Sequence, residues 1–358
     1  MNTTPLTELK NLAERIPNAL TEANRMSLEN LYQRSLSDLE DPNSLFTYTL
    51  AKAMRKRVSG EQPGKHIYLQ QFAIPQIRLF ELLIQHFPLA NLSQQCINTL
   101  LVNELKHHAR PVLMDIGIGT GMQVVNILDG LMNAPASQIQ HLTIVGIEPF
   151  ADALSTAEVS IGRVATTAPF AVTFLPKVAF IEQLELPDLT ALLPEQHDGI
   201  WANASFALHH IRLESQRKQV FKNLKQIGVK GLALSEPNSD HYEPNYASRF
   251  TNCVNHYGAL FKIIDNLAIT TNEKAALKLF FGREIDDVLG NPEEVRVEKH
   301  YATHQWRHLL TQSGFTLQKR PTIFPELALN GTMLSTDLPD RYATVFNGEE
   351  ITSLFWAE

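Results

Sequence analysis

The sequence predicts a doubly wound α/β sheet that finishes with an antiparallel strand. Three observations carry that expectation. From about residue 110, short apolar runs alternate with amphipathic helical stretches, the pattern of a parallel sheet with helices on both faces. The first apolar run, Val112 to Met114, ends in an acid and then three alternate glycines, Asp115-Ile-Gly117-Ile-Gly119-Thr-Gly121. Near the end, Asn347-Gly348 lies between two apolar runs, a strong two-residue hairpin signal.

The elements are justified in chain order. Residues 1–104 read as a helical cap, with Leu6, Leu9, Leu12 and Ile16 at helical spacing. The stretches 74–87 and 96–108 are strongly helical too, and Ser59 to Gly64 is a loop. The core, 105–358, begins with a buried strand over Pro111–Met114 and a helix over Met122–Met132. Strands follow at His141–Ile147, Phe170–Leu175, Asp198–Ala202 and Lys230–Ser235, with helices at Ala151–Val164 and Glu214–Gln226. Residues from 238 to about 300 read as a helical insertion after the fifth strand. A helix at His304–Ser313 and a late strand at Gly314–Leu317 precede the hairpin.

The 358 residues carry a net charge of −7 and are 44% apolar. That composition buries a sizeable core and argues against a broad nucleic-acid surface. The dense basic run Lys52 to Arg57 reads as a solvated helix face. Two distant cysteines exclude a disulfide framework and fit reduced thiols. No apolar run approaches bilayer length and the N-terminus is no signal peptide, so a cytoplasmic location is expected. The acidic tail Asn347 to Glu358 reads as part of the hairpin rather than as an export signal. His300 and His304 could share a helix face, but no metal-site spacing accompanies them, and no metal is expected.

Glycines let a strand-to-helix turn close tightly and a ligand approach the free amides of the helix. No Gly-Lys-Ser/Thr follows, so this is not a phosphate loop, and the spacing is not G-x-G-x-x-G. Asp115 to Gly121 matches the D-x-G-x-G-x-G loop of S-adenosylmethionine-dependent methyltransferases. Glu148, ending the second strand, is placed to hold ribose hydroxyls. Asn203 and Phe206, after the fourth strand, are expected near the methionine part of the cofactor, where a ring face suits a sulfonium. Gln123 joins this cofactor-binding set. His209 and His210 lie at the same sheet edge. Glu236, Asp240, His241 and Tyr242 form a polar cluster after the fifth strand. His210, His241 and Glu236 are the candidate bases for an oxygen or nitrogen acceptor. Tyr68 and Gln71 are candidates to line the roof of the pocket.

The segments VLMDIGIGTGMQVVNILDGL, WANASFALHHI and LSEPNSDHYEPNYASRFTNCVNHYGALFKIIDNL, in this order, resemble the GRAS domain family. Arg249, Phe250, Tyr257, Phe261 and Asp265 occupy that family's pattern, as do Gly282 to Ile285, Arg296 to His300, Trp306 and Gly314-Phe315. The likeness spans roughly residues 45–358. It implies a seven-stranded Rossmann-like methyltransferase sheet and adds Arg249 and Tyr257 to the substrate-binding candidates Tyr68, Gln71, Asp240 and Tyr242. GRAS proteins are best known as plant transcriptional regulators, usually without the cofactor loop. The intact loop and Glu148 are therefore similar to a bacterial-type member. What that implies is an S-adenosylmethionine-dependent methyltransferase acting on a small-molecule acceptor in a capped pocket, with no nucleic-acid or membrane partner and a homodimer allowed. The rival expectation is a non-catalytic GRAS-type protein that binds a ligand or a regulatory partner.

Overall fold

The computed structural model describes residues 4–16, 20–39, 41–60, 79, 82–83, 85–325 and 327–358. Tyr68, Gln71 and most of the helix expected over 74–87 lie outside them. Among the described residues no helix is long and apolar enough to cross a membrane.

In chain order, α1 (Pro5–Ala13), α2 (Glu22–Leu36), α3 (Pro42–Ser59) and α4 (Pro88–Leu105) precede β1 (Pro111–Ile116). Then come α5 (Met122–Met132), β2 (His141–Glu148), α6 (Ala151–Ala165), β3 (Ala171–Val178), α7 (Leu186–Ala191), β4 (Gly199–Ser205), α8 (Glu214–Gln226) and β5 (Val229–Pro237). Next are α9 (Tyr246–Asp265), α10 (Thr271–Ile285), α11 (Thr303–Gln312), β6 (Ala328–Leu329), β7 (Thr332–Ser335), β8 (Tyr342–Phe346) and β9 (Glu349–Ala357).

The chain divides into two compact units. The helical unit is Met1–Asn91, Asn238–Ala302 and Asn330–Thr332. The sheet unit is Leu92–Pro237, Thr303–Leu329 and Met333–Glu358.

In the helical unit the helix starts follow from local chemistry. Thr4, Thr21, Asp41 and Asn245 each accept a backbone N–H of the first turn, and Thr270 with Glu273 forms a reciprocal capping box on α10. Apolar contacts such as Phe46 on Phe261, with centroids 4.9 Å apart, join α3 to α9. Lys56 meets Asp286 at 2.6 Å, so one cation of the basic run is paired rather than solvated.

The sheet of the other unit has nine strands in the order β3-β2-β1-β4-β5-β9-β8-β7-β6. Strands β3, β2, β1, β4 and β5 are mutually parallel, and β9 joins β5 antiparallel. The winding reverses at β1/β4, which opens a crevice at the carboxyl ends of those strands. β1 is buried along its whole length, as a central parallel strand requires. Gly231 makes room for two large rings: a Cβ built there would lie 2.4 Å from Trp356 and 2.9 Å from Trp201. A fully buried tryptophan removes roughly 150–250 Å² from water, or about 4–6 kcal/mol of transfer free energy.

The expected hairpin is present, with positive φ at both Asn347 (51°) and Gly348 (83°). Two expectations need correction. The sheet has nine strands rather than seven. The additional pair, β6 and β7, is joined by Asn330 and Gly331, again at positive φ. The late strand expected over Gly314–Leu317 is only an isolated bridge from Leu317 to Ala357. Gly314 turns the chain at φ +90° after α11, and only Thr316 and Gln318 then reach the backbone of β9's end.

Candidate functional site

The site expected at the crevice is built on the turn from β1 into α5. Gly117, Gly119 and Gly121 all adopt positive φ, at 75°, 55° and 78°. L-residues with a Cβ are strained there. The three differ in what surrounds them. A Cβ on Gly117 would come 2.6 Å from the Ala207 Cβ, and one on Gly121 would come 2.9 Å from the Ala157 Cβ. A Cβ on Gly119 would meet nothing within 4 Å. Two glycines thus serve close packing, and the third faces open space.

Glu148 ends β2 and turns its carboxylate back onto the loop. Its Oε2 accepts the Gly119 N–H at 3.0 Å and its Oε1 accepts the Phe150 N–H at 3.1 Å. Burial raises its proton affinity above the usual carboxylate range, while the two N–H donors and His210 pull it back. Asp115 faces Asn203 in register across β1 and β4. The carboxylate accepts the Asn203 amide at 2.9 Å, and burial pushes its pKa up to about 7. Gln123, expected on the cofactor, donates to Asn98 at 3.1 Å and ties α5 to α4.

The stretch after β4 is held from two sides. Phe206 sits at φ +55°, an uncommon conformation for an aromatic residue, with its N–H on the Ser235 carbonyl at 2.8 Å. Glu236 is fully buried. Its Oε1 accepts the N–H groups of Ala207 and Leu208 at 3.2 and 2.7 Å, and its Oε2 meets the His209 ring at 2.6 Å. From the other side the buried Arg217 donates to the carbonyls of Ile211 and His209 at 2.8 and 2.7 Å. His210 is half-buried, its ring centroid 4.0 Å from that of His209. Arg217 was not legible as a site residue: a lone arginine on α8 carries no motif, and only the fold brings it to those carbonyls.

Asp115, Gly117, Gly119, Gly121, Gln123, Glu148, Asn203, Phe206, His210 and Glu236 therefore belong to the sheet unit. Asp240, His241, Tyr242, Arg249 and Tyr257 belong to the helical unit. There His241 is fully buried, with its ring 4.6 Å from His300, 5.6 Å from His256 and stacked on Tyr257 at 5.5 Å. Burial, then the neighbouring His300 and His256, hold it well below the ordinary histidine range. Tyr257 is buried and donates to Glu284 at 3.1 Å. Asp240 accepts Asn252 through its backbone carbonyl. Tyr242 lies edge-on to Tyr301 with the Lys299 ammonium 5.3 Å from its ring.

The model of the GRAS domain family matches residues 6–357. DELLA protein 2 of Medicago truncatula is 25% identical over 210 residues, 57% of this chain and 39% of that protein. The Scarecrow-like transcription factor PAT1 of Arabidopsis thaliana is 23% identical over 232 residues, 61% of this chain and 46% of its own length. The chain thus spans less than half the length of these relatives. The crystal structure of SCL7 from Oryza sativa superposes with a TM-score of 0.83 at 16% identity, covering 100% of both chains. That likeness speaks for the fold.

These findings overturn the expectation of a methyltransferase acting on a small-molecule acceptor. The relatives are named as DELLA proteins and a transcription factor, and none of those names is an enzyme's. The bacterial-type placement falls too, because the matched relatives are plant proteins. So does the partner expectation, a small-molecule substrate and no nucleic acid, which was drawn from the enzyme reading.

Proposed function

Because the chain belongs to the GRAS domain family over residues 6–357, we propose that it is a non-catalytic regulatory protein that acts by binding a partner, in the manner its transcription-factor relative's name describes. The observation that carries this reading is the state of Glu236. A general base must reach the proton it abstracts. Glu236 is fully buried, and both of its oxygens hold the chain between β4 and α8. Its carboxylate is a fastener for the chain and is not free to act as the base.

The same reading leaves a ligand role for the glycine loop, and S-adenosylmethionine is the ligand we propose for it. The residues fit. Gly119 faces open space. Glu148 uses one contact on each oxygen and keeps lone pairs for hydroxyl donors. Asp115 and Asn203 are a buried pair on the adjacent strands that lead to this crevice. Bound there, the cofactor would supply a nucleoside and an amino-acid head as an ordering ligand. The parallel strands would then be a methyltransferase-type sheet kept as a scaffold.

The test tethers the chain to a reporter promoter through a heterologous DNA-binding module. Reporter output is expected to change several-fold and to be kept by His210→Ala. A folded, tethered chain that leaves output unchanged overturns the regulatory reading. Calorimetric titration with S-adenosylmethionine and S-adenosylhomocysteine tests the ligand separately, with Gly119→Arg as the control. No heat from the folded protein removes the cofactor and leaves the regulatory reading standing.

A further inference from the structure

The helical unit holds a second feature that neither the glycine loop nor the family explains. A cavity of about 500 Å³ opens among α3, the start of α9, Ile16, Leu20 and Arg25 of α2. That volume lies within the range of small-molecule sites. Arg25, Arg57 and Arg249 line it together with Tyr246, Leu20 and Val58. Among the described residues three guanidiniums and no acidic side chain line this cavity, in a chain whose net charge is −7.

The buried member is the informative one. Arg249 is 4% exposed. One of its terminal nitrogens donates to the Glu243 carbonyl at 2.7 Å, while its Nε is buried with no acceptor. A buried, unsatisfied N–H of a charged group costs more than a neutral one. The acid nearest to it does not settle the account. Glu293 lies 3.7 Å from Arg249 but is engaged at 2.6 Å by Arg296 and at 2.7 Å by Lys299. Three cations converge on that one carboxylate. Among the described residues Arg57 donates to a neutral partner, the Asn291 carbonyl, at 3.1 Å. Burial, then repulsion from Arg296, lowers the pKa of Arg249 to about 10, which fits a cation short of counter-charge. The cavity also receives the N-terminus of α9, a 20-residue helix capped by Asn245. Its dipole adds to the positive field. Glu243 lies beside this cap, but its side chain accepts the Asn245 N–H at 2.8 Å. Leu20, Val58 and the Tyr246 ring supply an apolar wall.

We propose that this cavity binds a small organic anion, a carboxylate or phosphate monoester on an apolar body, with its charged group facing Arg57 and Arg249. Guanidinium forks suit either head group, because both present two oxygens to paired N–H donors. The site is independent of the glycine loop.

The experiment is calorimetric titration of the full chain at low salt with octanoate, octyl phosphate, inorganic phosphate and octanol. Saturable one-to-one binding of octanoate or octyl phosphate is expected, weakened by added salt. It should fall by about tenfold or more in Arg57→Met and Arg249→Met, since a charge-assisted pair is worth at least that factor. Arg25 is exposed, so Arg25→Gln keeps the fold and should weaken binding several-fold. Circular dichroism establishes that each variant is folded. The preference between the two octyl probes identifies the head group. The proposal is overturned by no saturable binding to the folded protein, by octanol binding as tightly as the anions, by inorganic phosphate binding as tightly as octyl phosphate, or by unchanged affinity in folded Arg25 and Arg57 variants.

Discussion

Asp115 and Asn203 face each other across β1 and β4, and the carboxylate accepts the amide N–H at 2.9 Å with neither group in contact with bulk water. The pair fastens the two strands at which the winding reverses, immediately before the glycine loop.

That pairing has a pH signature. Burial raises the Asp115 pKa from 3.8 to about 7 in the folded protein. The folded state therefore binds this proton more tightly than the unfolded state does, and its contribution to stability is lost as pH rises from about 4 to 7. Each tenfold change in proton affinity is worth about 1.4 kcal/mol, so the loss has an upper figure on the order of 4 kcal/mol. Asp115→Asn keeps an acceptor for Asn203 and cannot ionise. Urea unfolding across this range should show the variant gaining on the parent as pH rises. A constant difference would mean that Asp115 titrates normally.

His241 carries the opposite sign. Its folded pKa is held well below 6.5 by burial and by His300 and His256. A base with a depressed folded pKa contributes stability above its unfolded value, and that stability is lost as pH falls below about 6.5. The groups around it are His256, His300, Arg296, Glu298, Tyr257 and the Ser239 hydroxyl. Hydrogen exchange at pH 7.5 and 5.5, corrected for intrinsic rates, should show residues 238–302 loosening at the lower pH. Uniform protection at both values would rule the cluster out as an acid-labile point.

The three loop glycines should rank by their surroundings. Gly119→Ala costs only the positive-φ strain, about 1 kcal/mol. Gly117→Ala and Gly121→Ala add contacts of 2.6 and 2.9 Å with Ala207 and Ala157, and should cost about 2 kcal/mol or more in total. Thermal unfolding of the three variants reads the order directly. Equal costs would contradict the packing role given to Gly117 and Gly121.

Glu236→Ala should be among the most damaging single changes in the sheet unit. It strands two backbone N–H groups and the His209 ring, a loss of about 3–5 kcal/mol. Glu236→Gln, which keeps one acceptor, should cost about 1–3 kcal/mol. Denaturant midpoints for the pair separate a fastener from a surface acid, which would leave both unchanged.

The legible parts of the sequence are those where local backbone chemistry decides the outcome. Gly117, Gly119 and Gly121 need positive φ, and Asn347-Gly348 needs it twice, so both features could be read from residue type. The hairpin at Asn330-Gly331 carries the same signal but is flanked by strands of two and four residues, too short to show a period. What could not be read is the assignment of buried polar groups. Glu236, Asp240, His241 and Tyr242 looked like a functional edge because polar residues cluster there in sequence, and Tyr257 joined them only through the family pattern. In the fold, Glu236 fastens the chain after β4, while His241 and Tyr257 are packed into the helical unit. Charge imbalance around Arg249 depends on groups as distant in sequence as Arg57, 192 residues before it, and no spacing rule reports it.

The order of the strands also sets a clock. β9 is made last of the nine, yet it lies between β5 and β8, and the strands β8, β7 and β6 reach the parallel sheet only through it. While the chain emerges from the ribosome, β5 has an uncovered flank, and the three strands already synthesised after it have nowhere to attach. The sheet is completed only once residues 349–357 have left the ribosome, so β5 keeps that flank uncovered while residues 238–348 are made, and any factor that shields β5 has that interval in which to act.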